Sequence, residues 1–134
     1  MNRTFLIWGF SFGFVAVILG ALGAHALENQ LTVDQLDSFK TGVRYQMYHA
    51  ILLLVLSHQK RFTNKSILSL IVSGTLLFSF SIYLLSCRAI LPVGDVSFLG
   101  PITPIGGTLL IIAWAVLIVK AFKLPKENLK DVRD

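Results

Sequence analysis

The chain has 134 residues, of which 54% are hydrophobic and 14% are charged, and its mean hydropathy is +0.73. These values exclude an ordinary soluble domain and predict a membrane protein. At about 20 residues per transmembrane helix, the length accommodates roughly four spans in a single transmembrane domain, residues 1–134. The formal net charge of +5 is expected to reflect membrane topology and contact with anionic lipid, so no nucleic-acid partner is predicted.

The first predicted span covers residues 4–25. Residues 4–24 carry no charged side chain, which is long enough to cross the hydrocarbon core. The basic start and the Ala-His-Ala triplet at 24–26 imitate a secretory signal peptide, but the apolar run is long and we expect the helix to be retained. Small residues on one face permit close packing, either against the chain's own helices, which we favour, or in a dimer seam. The predicted packing positions are Gly9, Gly13, Gly20 and Gly23.

The second predicted helix begins near Val33 and runs to about His58. Thr32 and Gln35 have the spacing of a capping box, in which each side chain accepts a hydrogen bond from the backbone amide of the other residue. The span itself is predicted for residues 42–58. The first turns of this helix are therefore expected to extend beyond the membrane on the outer side.

A polar cluster lies on this helix just before a run of Leu, Ile and Val. The cluster consists of Arg44, Tyr45, Tyr48 and His49. These side chains share one face of a 3.6-residue helix. Ionisable groups near lipid are costly unless they face other helices, water or headgroups, so such a cluster is the first place to look for function. Arg44 is expected to pair with a group on another helix or to reach the interface.

The third predicted span covers residues 66–87 and follows a short basic loop. Lys60, Arg61 and Lys65 lie in this loop without an acidic residue, which predicts a cytoplasmic location by the positive-inside rule. Most serines of the third span are expected to face inward, because they can hydrogen-bond or pack closely against neighbouring helices. They are Ser69, Ser73, Ser79, Ser81 and Ser86.

Residues 89–107 connect the third span to the fourth and are interrupted by proline and glycine. Irregular backbone at membrane depth must be covered by protein, so this connection is expected to lie against the outer end of the bundle. Thr103 is predicted to cap the fourth helix, with Pro104 at its first position and the span at 104–122. The tail that follows is rich in lysine. The sequence thus predicts an all-α, integral membrane four-helix bundle with both termini cytoplasmic.

Four stretches of the sequence occur in the order found in a known group of small membrane proteins. They are LGALGAHAL (19–27), TGVRYQMYHAILLL (41–54), LLFSFSIYLLS (76–86) and LGPITPIGG (99–107). Together they closely resemble the family grouped as domain of unknown function 423, which is related to the eukaryotic transmembrane protein 256. The resemblance covers nearly the whole chain, and GAHAL, YQMYHA and TPIGG are specific in combination.

The resemblance implies a retained first helix and four spans in a small bacterial inner-membrane protein. It brings no activity, substrate or cofactor. Phe80 departs from the family pattern, which has glycine at this place, and the departure weakens the expectation of a close helix contact there. The family's characteristic positions map onto Gly20, Gly23, His25, Tyr45, Met47, Tyr48, His49, Pro104 and Gly106.

The predicted topology brings polar residues from four segments into the outer half of the membrane. Such a convergence predicts either an interhelical hydrogen-bond network or a ligand site. The candidate polar layer or ligand site consists of His25, Glu28, Arg44, Tyr45, Tyr48, His49, Arg88 and Thr103.

We favour a structural polar layer in a small membrane scaffold or accessory protein of the cytoplasmic (inner) membrane. The alternative is a component that binds or transports a small solute, a proton or a lipid headgroup through the same layer. A metal site of His25 and His49 with Glu28 or Cys87 is less favoured, because no close histidine pair or CxxC spacing supports it. No catalytic motif is found, so we predict no enzyme activity and no cofactor, with membrane lipid as a partner and a homo-oligomer as an open option.

Overall fold

The computed structural model describes residues 1–125, and the regular structure within them is helical, without a strand. The helices are α1 (Arg3–Ala24), α2 (Val33–Ser57), α3 (Lys65–Ser86) and α4 (Ile102–Phe122). Three segments, namely α1, α3 and the one that ends with α4, are long and apolar enough to cross a membrane. The predicted all-α membrane fold is confirmed. The basic tail residues Lys126, Lys130 and Arg133 lie outside the described part of the chain.

The second helix differs from the other three because its first half is polar. Its start matches the prediction: Gln35 N donates to Thr32 Oγ1 at 3.2 Å, and Thr32 N donates to Gln35 Oε1 at 3.0 Å, so the capping box is formed. The helix ends at Ser57, and His58 is its C-terminal cap. An apolar run begins only at Ala50, which explains why α2 is less hydrophobic than a typical span.

The helices form two antiparallel hairpins, α1–α2 and α3–α4, whose turns lie at the same end. We call this the hairpin end (residues 25–32 and 87–101). The opposite, terminal end comprises residues 1–2, 58–64 and 123–125. The backbone amide of Asn2 donates to the Ser57 carbonyl at 2.8 Å, and Lys120 Nζ donates to the Arg61 carbonyl at 3.2 Å. These bonds hold the chain start, the α2–α3 loop and the end of α4 together.

The main hydrophobic core lies between the middle of the bundle and the terminal end. Phe5 of α1, Leu53 of α2 and Ile67 of α3 are each at most 1% exposed and pack in one cluster with Ala113 and Leu117 of α4. All four helices therefore contribute to this core, and a second, smaller cluster of Leu31, Phe39, Tyr83 and Cys87 lies toward the hairpin end.

The third helix contains a π-helical turn at Leu76–Phe80. Such a turn widens the helix and disturbs the regular bonding of its carbonyl groups. The Ser81 hydroxyl bonds two carbonyls of this turn, those of Leu77 at 2.6 Å and Phe78 at 3.0 Å. Phe80, which stands where the family pattern has glycine, is 46% exposed at the bundle surface. This exposure agrees with the weakened expectation of a close helix contact at this place.

Three of the five serines that were predicted to face mostly inward are buried. The buried ones are Ser79, Ser81 and Ser86, whereas Ser69 is exposed and Ser73 is intermediate. Ser73 donates to the Ser69 carbonyl within the same helix. A serine can thus satisfy its hydroxyl on its own helix without facing a neighbour.

The fourth helix begins at Ile102, two residues earlier than expected. Pro101 occupies the N-cap position and makes no side-chain cap bond, so the prediction that Thr103 caps this helix was wrong. A short 3-10 helix at Ser97–Leu99 precedes it. Because Thr103 lies inside the first helical turn, its hydroxyl is available for another helix, and it lies 2.6 Å from Ser81 Oγ.

Candidate functional site

The predicted polar layer is divided between two depths in the structure. Tyr45, Tyr48 and His49 lie near the middle of the spans. Their neighbour Gln46 bonds Phe12, the tenth residue of α1, and His49 bonds Trp114, in the middle of α4. Arg88 and Thr103 instead lie at the hairpin end. The polar residues of the outer half therefore do not converge on one site, because α2 carries the tyrosines and the histidine deeper than the sequence argument assumed.

His49 is 4% exposed, and both of its ring nitrogens are engaged. Nδ1 lies 2.7 Å from the carbonyl oxygen of Tyr45, and because a carbonyl can only accept, Nδ1 carries the hydrogen and donates. Nε2 then accepts from the indole N–H of Trp114 at 3.3 Å. These contacts assign the neutral Nδ1–H tautomer and connect α2 to α4. The hydrogen-bonding capacity of the ring is used within the protein.

Tyr45 and Tyr48 lie beside His49 on the surface of the bundle. The Tyr45 ring centroid is 4.8 Å from that of Phe78, in the π-helical turn, and 6.2 Å from that of Tyr48. A mostly apolar groove of about 520 Å³ runs along these tyrosines to Trp114. Because both tyrosines are exposed, this groove opens on the outer surface of the bundle.

A buried bridge between three helices is formed by Gln46, a residue that the sequence analysis did not single out. It is 1% exposed, and its Nε2 donates to the Phe12 carbonyl of α1 at 2.8 Å. Its Oε1 accepts from the Tyr83 hydroxyl of α3 at 2.8 Å. A second bond, from Ser79 Oγ to the Gly42 carbonyl at 2.9 Å, joins α3 to α2 on the same side. This network lies within the apolar interior and is formed entirely by the protein.

The helical repeat of α2 carries the signal for this bridge. Phe39, Gly42, Gln46 and Leu53 recur at helical spacing and are all buried on one face. A glutamine on the apolar face of a span requires a partner on another helix, since lipid supplies none. The repeat therefore predicts that Gln46 is bonded across helices. It does not identify Tyr83 as the partner, because that depends on the rotation of α3.

Arg44 pairs within its own helix. Its Nη2 lies 3.7 Å from Asp37 Oδ1, two turns earlier on α2, and both side chains are more than half exposed. Of the two alternatives predicted for Arg44, pairing across helices was therefore wrong, and reaching the interface stays a prediction. An exposed pair of this kind contributes about 0–1 kcal/mol, so it has little influence on the packing of the bundle.

His25 and Glu28 are exposed in the link between α1 and α2, away from His49. The backbone amide of His25 donates to the Ala21 carbonyl at 3.1 Å and closes α1. Within residues 1–125, no three His, Cys, Asp or Glu side chains lie close enough together to hold a metal ion. The structure does not assemble the alternative metal site that included Cys87.

Arg88 and Thr103 line a cleft of about 390 Å³ at the hairpin end, where α2 begins, α3 ends and α4 begins. Asp34 and Ser86 lie on the same walls. Nearby in the α3–α4 link, the Ser97 amide donates to Asp95 Oδ1 at 2.9 Å and lowers the pKa of that carboxyl below its usual value. Of the residues that were predicted to form a layer with His49, the cleft thus contains Arg88 and Thr103.

The predicted glycine face of α1 packs against α2. A Cβ on Gly9 would lie 2.7 Å from Leu54 Cδ2, and one on Gly23 would lie 3.1 Å from the Phe39 ring. Gly13 and Gly20 have ordinary van der Waals spacing, with nearest atoms at 3.9 and 3.6 Å. The four predicted positions therefore include two tight contacts and two looser ones, all of them within the monomer.

Comparison with known proteins identifies the family. A family model described as "Protein of unknown function (DUF423)" matches residues 19–107. The membrane protein YwdK of Bacillus subtilis is 40% identical over 126 residues, which cover 90% of this chain and 98% of the relative. The membrane protein SSP2132 of Staphylococcus saprophyticus is 34% identical, covering 91% of this chain and 99% of the relative, and SAB0533 of Staphylococcus aureus is 36% identical, covering 90% and 97%.

These three relatives are named UPF0382 membrane proteins. No solved structure matches the chain significantly. The family match spans more than half of the sequence, and the relatives align over nearly their whole lengths. The chain therefore belongs to the DUF423 family of membrane proteins.

Proposed function

We propose that this protein is a small membrane scaffold or accessory protein whose buried polar groups hold its own helices together. The observation that carries this proposal is the Gln46 bridge, which joins α1, α2 and α3 with both ends of the amide bonded. A polar side chain held for a ligand keeps donors or acceptors unused, whereas Gln46 uses both its amide nitrogen and its amide oxygen within the protein.

The contacts of His49 support the same proposal. Its two nitrogens are bonded to Tyr45 and Trp114, so neither is directed at a substrate or a water chain. General acid–base catalysis and proton transfer both need a titratable group within reach of the transferred proton. We therefore infer no catalytic role for this ring, and the hypothesis of a transport component has no comparable observation in its favour.

We place the protein in the cytoplasmic (inner) membrane with both termini in the cytoplasm. The charge distribution supports this orientation: the terminal half of the described chain carries basic residues without an acid, and the hairpin half carries both signs. The basic residues concerned are Arg3, Lys60, Arg61, Lys65, Lys120 and Lys123.

Cysteine labelling tests the orientation. Gln59 and Asn29 are exposed at opposite ends and make no side-chain bond that a cysteine would break, so each can be replaced by Cys in a Cys87→Ser background. An impermeant thiol reagent added to intact cells should label the variant at position 29 and leave the one at position 59 unlabelled. The reverse pattern would invert the proposed topology.

The scaffold role is tested by His49→Leu. If the ring is structural, its loss leaves the N–H of Trp114, a residue that is 47% exposed on the bundle, without its partner. The melting temperature should then fall by an amount that corresponds to about 1 kcal/mol. Both proteins are melted in the same detergent between about pH 5 and 8, the range in which histidine commonly titrates. Trp114→Phe provides the matched control, since it removes the donor instead of the acceptor.

The opposite change in melting temperature would indicate a ligand site. Functional residues often cost stability, so a site residue can be replaced with a gain in melting temperature. A His49→Leu variant that is more stable than the natural protein and has lost a pH response would contradict the scaffold proposal. The search for a ligand would then turn to the groove beside Tyr48.

A further inference from the structure

At the hairpin end, we propose a site for the headgroup of an ethanolamine phospholipid, which carries a phosphate anion next to a primary ammonium. The site is the cleft of about 390 Å³ between the start of α2, the end of α3 and the start of α4. Ser86 is the last residue of α3, and Thr103 is the second residue of α4. Because both helices are membrane spans, the cleft lies at the level of the lipid headgroups. It shares no residue with the Gln46 bridge, so this proposal goes beyond the scaffold role.

Two opposite charges on the cleft are not neutralised by each other. Asp34 lies in the first turn of α2, and Arg88 follows the end of α3. Among residues 1–125 the single ion pair within 4.0 Å joins Arg44 and Asp37, so Asp34 and Arg88 do not form one. An unpaired acid and an unpaired base on one cleft match a ligand that itself carries both charges. A simple anion would be repelled by Asp34, and a simple cation by Arg88.

A hydroxyl group on the wall of the cleft is free to bond a ligand. Ser86 lines the cleft, and its hydroxyl makes no hydrogen bond within the described residues. Among those residues only Thr75 has a side-chain polar atom that is both buried and unpartnered, so the Ser86 oxygen is accessible from the cleft to a group that enters it. A serine hydroxyl can donate to a phosphate oxygen.

The hydroxyl of Thr103 provides an acceptor on the same cleft. Ser81 uses its own hydrogen on the carbonyls of the π-helical turn, those of Leu77 and Phe78. The short contact of 2.6 Å between the two hydroxyl oxygens is then a bond that Thr103 donates to Ser81. The Thr103 oxygen keeps its lone pairs, which suit an ammonium N–H. Together with the Asp34 carboxylate, this gives the cleft two acceptors for a primary ammonium.

The apolar part of the cleft favours a lipid over a free zwitterion. Ile82 and Leu85 line it on α3, in the last turns before Ser86. These side chains continue the wall of the cleft from the headgroup level toward the hydrocarbon, where an acyl chain lies. A lipid would contact both parts at once, whereas a small solute would leave the apolar wall unused.

Binding of defined lipids to the full-length protein tests the proposal. The natural protein in detergent is titrated with palmitoyl-oleoyl phosphatidylethanolamine, phosphatidylcholine and phosphatidylglycerol, and occupancy is measured by native mass spectrometry. Phosphatidylethanolamine should bind best, because the quaternary ammonium of phosphatidylcholine has no N–H to donate and phosphatidylglycerol has no cation. Equal occupancy by the three lipids would overturn the proposal.

Two variants separate the charges of the headgroup. Arg88→Gln should weaken phosphatidylethanolamine and phosphatidylglycerol alike, by roughly tenfold. Asp34→Asn should weaken phosphatidylethanolamine by a similar factor and leave phosphatidylglycerol unchanged, because only the first has an ammonium. The matched controls are Arg44→Gln and Asp37→Asn, which remove the same charges from an exposed pair on α2. Melting curves of all four variants confirm that they are folded.

Two further outcomes bear on the site. If Arg88→Gln bound phosphatidylethanolamine as well as Arg44→Gln does, the cleft would not hold the phosphate and the proposal would be wrong. Soluble glycerophosphoethanolamine should compete poorly, since it lacks acyl chains for Ile82 and Leu85. Competition as strong as that of the intact lipid would overturn the assignment to a lipid. None of these results depends on the melting behaviour of His49→Leu, so failure of the headgroup site and failure of the scaffold role are distinguishable.

Discussion

The two hairpins of this protein use glycine in different ways. In α1–α2, a Cβ on Gly9 would meet the side chain of Leu54, with its nearest atom at 2.7 Å. In α3–α4, a Cβ on Gly106 would meet backbone, lying 2.8 Å from the carbonyl carbon of Leu77 and 2.9 Å from the carbonyl oxygen of Gly74. A side chain can rotate away, but a backbone contact is relieved only by moving a helix. The second hairpin should therefore tolerate an added methyl group at its glycine contact less well than the first.

Polar bonds join the hairpins to each other, together with one close glycine contact, in which a Cβ on Gly42 would lie 2.8 Å from Cε1 of Tyr83. The Gln46 amide and Ser79 connect α2 to α3, and His49 connects α2 to Trp114 on α4. In lipid, helices gain little from burying apolar surface against each other, so hydrogen bonds and close packing carry the specificity of association. We infer that glycine contacts define the geometry within each hairpin and that the polar bonds, with the Gly42 contact, define how the two hairpins are aligned.

The largest effect is expected for Gly106→Ala. The added methyl group would clash with the backbone of the π-helical turn, so α3 and α4 would have to move apart. We expect this separation to lower the free energy of unfolding by about 3 kcal/mol. Gly107→Ala is the matched control, because its Cβ would be 3.5 Å from the Phe78 ring, an ordinary contact. Both variants are compared by unfolding in mixed micelles. If the two variants had similar free energies of unfolding, the backbone beside Gly106 would not limit how closely α3 and α4 approach each other.

A smaller loss of unfolding free energy is expected for Gln46→Leu. The change leaves the Tyr83 hydroxyl and the Phe12 carbonyl without the partner that now bonds them, and should cost about 1–2 kcal/mol. Tyr83→Phe removes the other partner, and the double variant completes a thermodynamic cycle. We expect the two substitutions to be non-additive by about 0.5 kcal/mol or more, since they remove the same bond. Strict additivity would mean that this bond does not align the hairpins.

In the first hairpin, Gly9→Ala should cost about 1 kcal/mol. The added methyl group meets the flexible end of Leu54 and, at 3.1 Å, the Ala50 carbonyl oxygen, so part of the strain is relieved by a rotamer change. Gly13→Ala should be neutral, because the nearest atom to its Cβ is 3.9 Å away. The difference in unfolding free energy between these two variants, measured in the same mixed micelles, should be smaller than the difference between Gly106→Ala and Gly107→Ala. A larger difference in α1 would mean that the first hairpin, and not the second, tolerates an added methyl group less well.

The sequence could predict the helices because composition, capping residues and length determine them almost locally. Thr32 with Gln35 marks the start of α2, and the uncharged run after Arg3 marks α1. The sequence could not place the tyrosines and His49 at the right depth, because that depends on how far α2 slides along its neighbours. Nor could it reveal the π-helical turn, which changes the side from which residues after Phe80 emerge without altering the hydrophobic pattern.

The same limit applies to the candidate site. Arg88 and Thr103 were predicted as polar residues near one end of the bundle, and the structure places both on one cleft. Asp34 was not predicted as a site residue, since its position relative to α3 and α4 is a tertiary property. Local patterns thus identified which residues are polar and near the surface, whereas the pairing between segments required the three-dimensional fold.

The smallest expected effect has the opposite sign and concerns Thr75, directly before the π-helical turn. Its Oγ1 is buried and makes no hydrogen bond within the described residues, while the residue as a whole is 1% exposed. An unpaired hydroxyl in an apolar interior is costly, so Thr75→Val, which replaces it with a methyl group of similar shape, should raise the free energy of unfolding by up to about 1 kcal/mol. Thr75→Ser is the matched control: it keeps the hydroxyl, loses the methyl group and should be destabilised. A loss of stability in Thr75→Val would mean that the hydroxyl is bonded in the membrane, and that the bond at this position, in addition to the Gly106 contact, fixes the second hairpin.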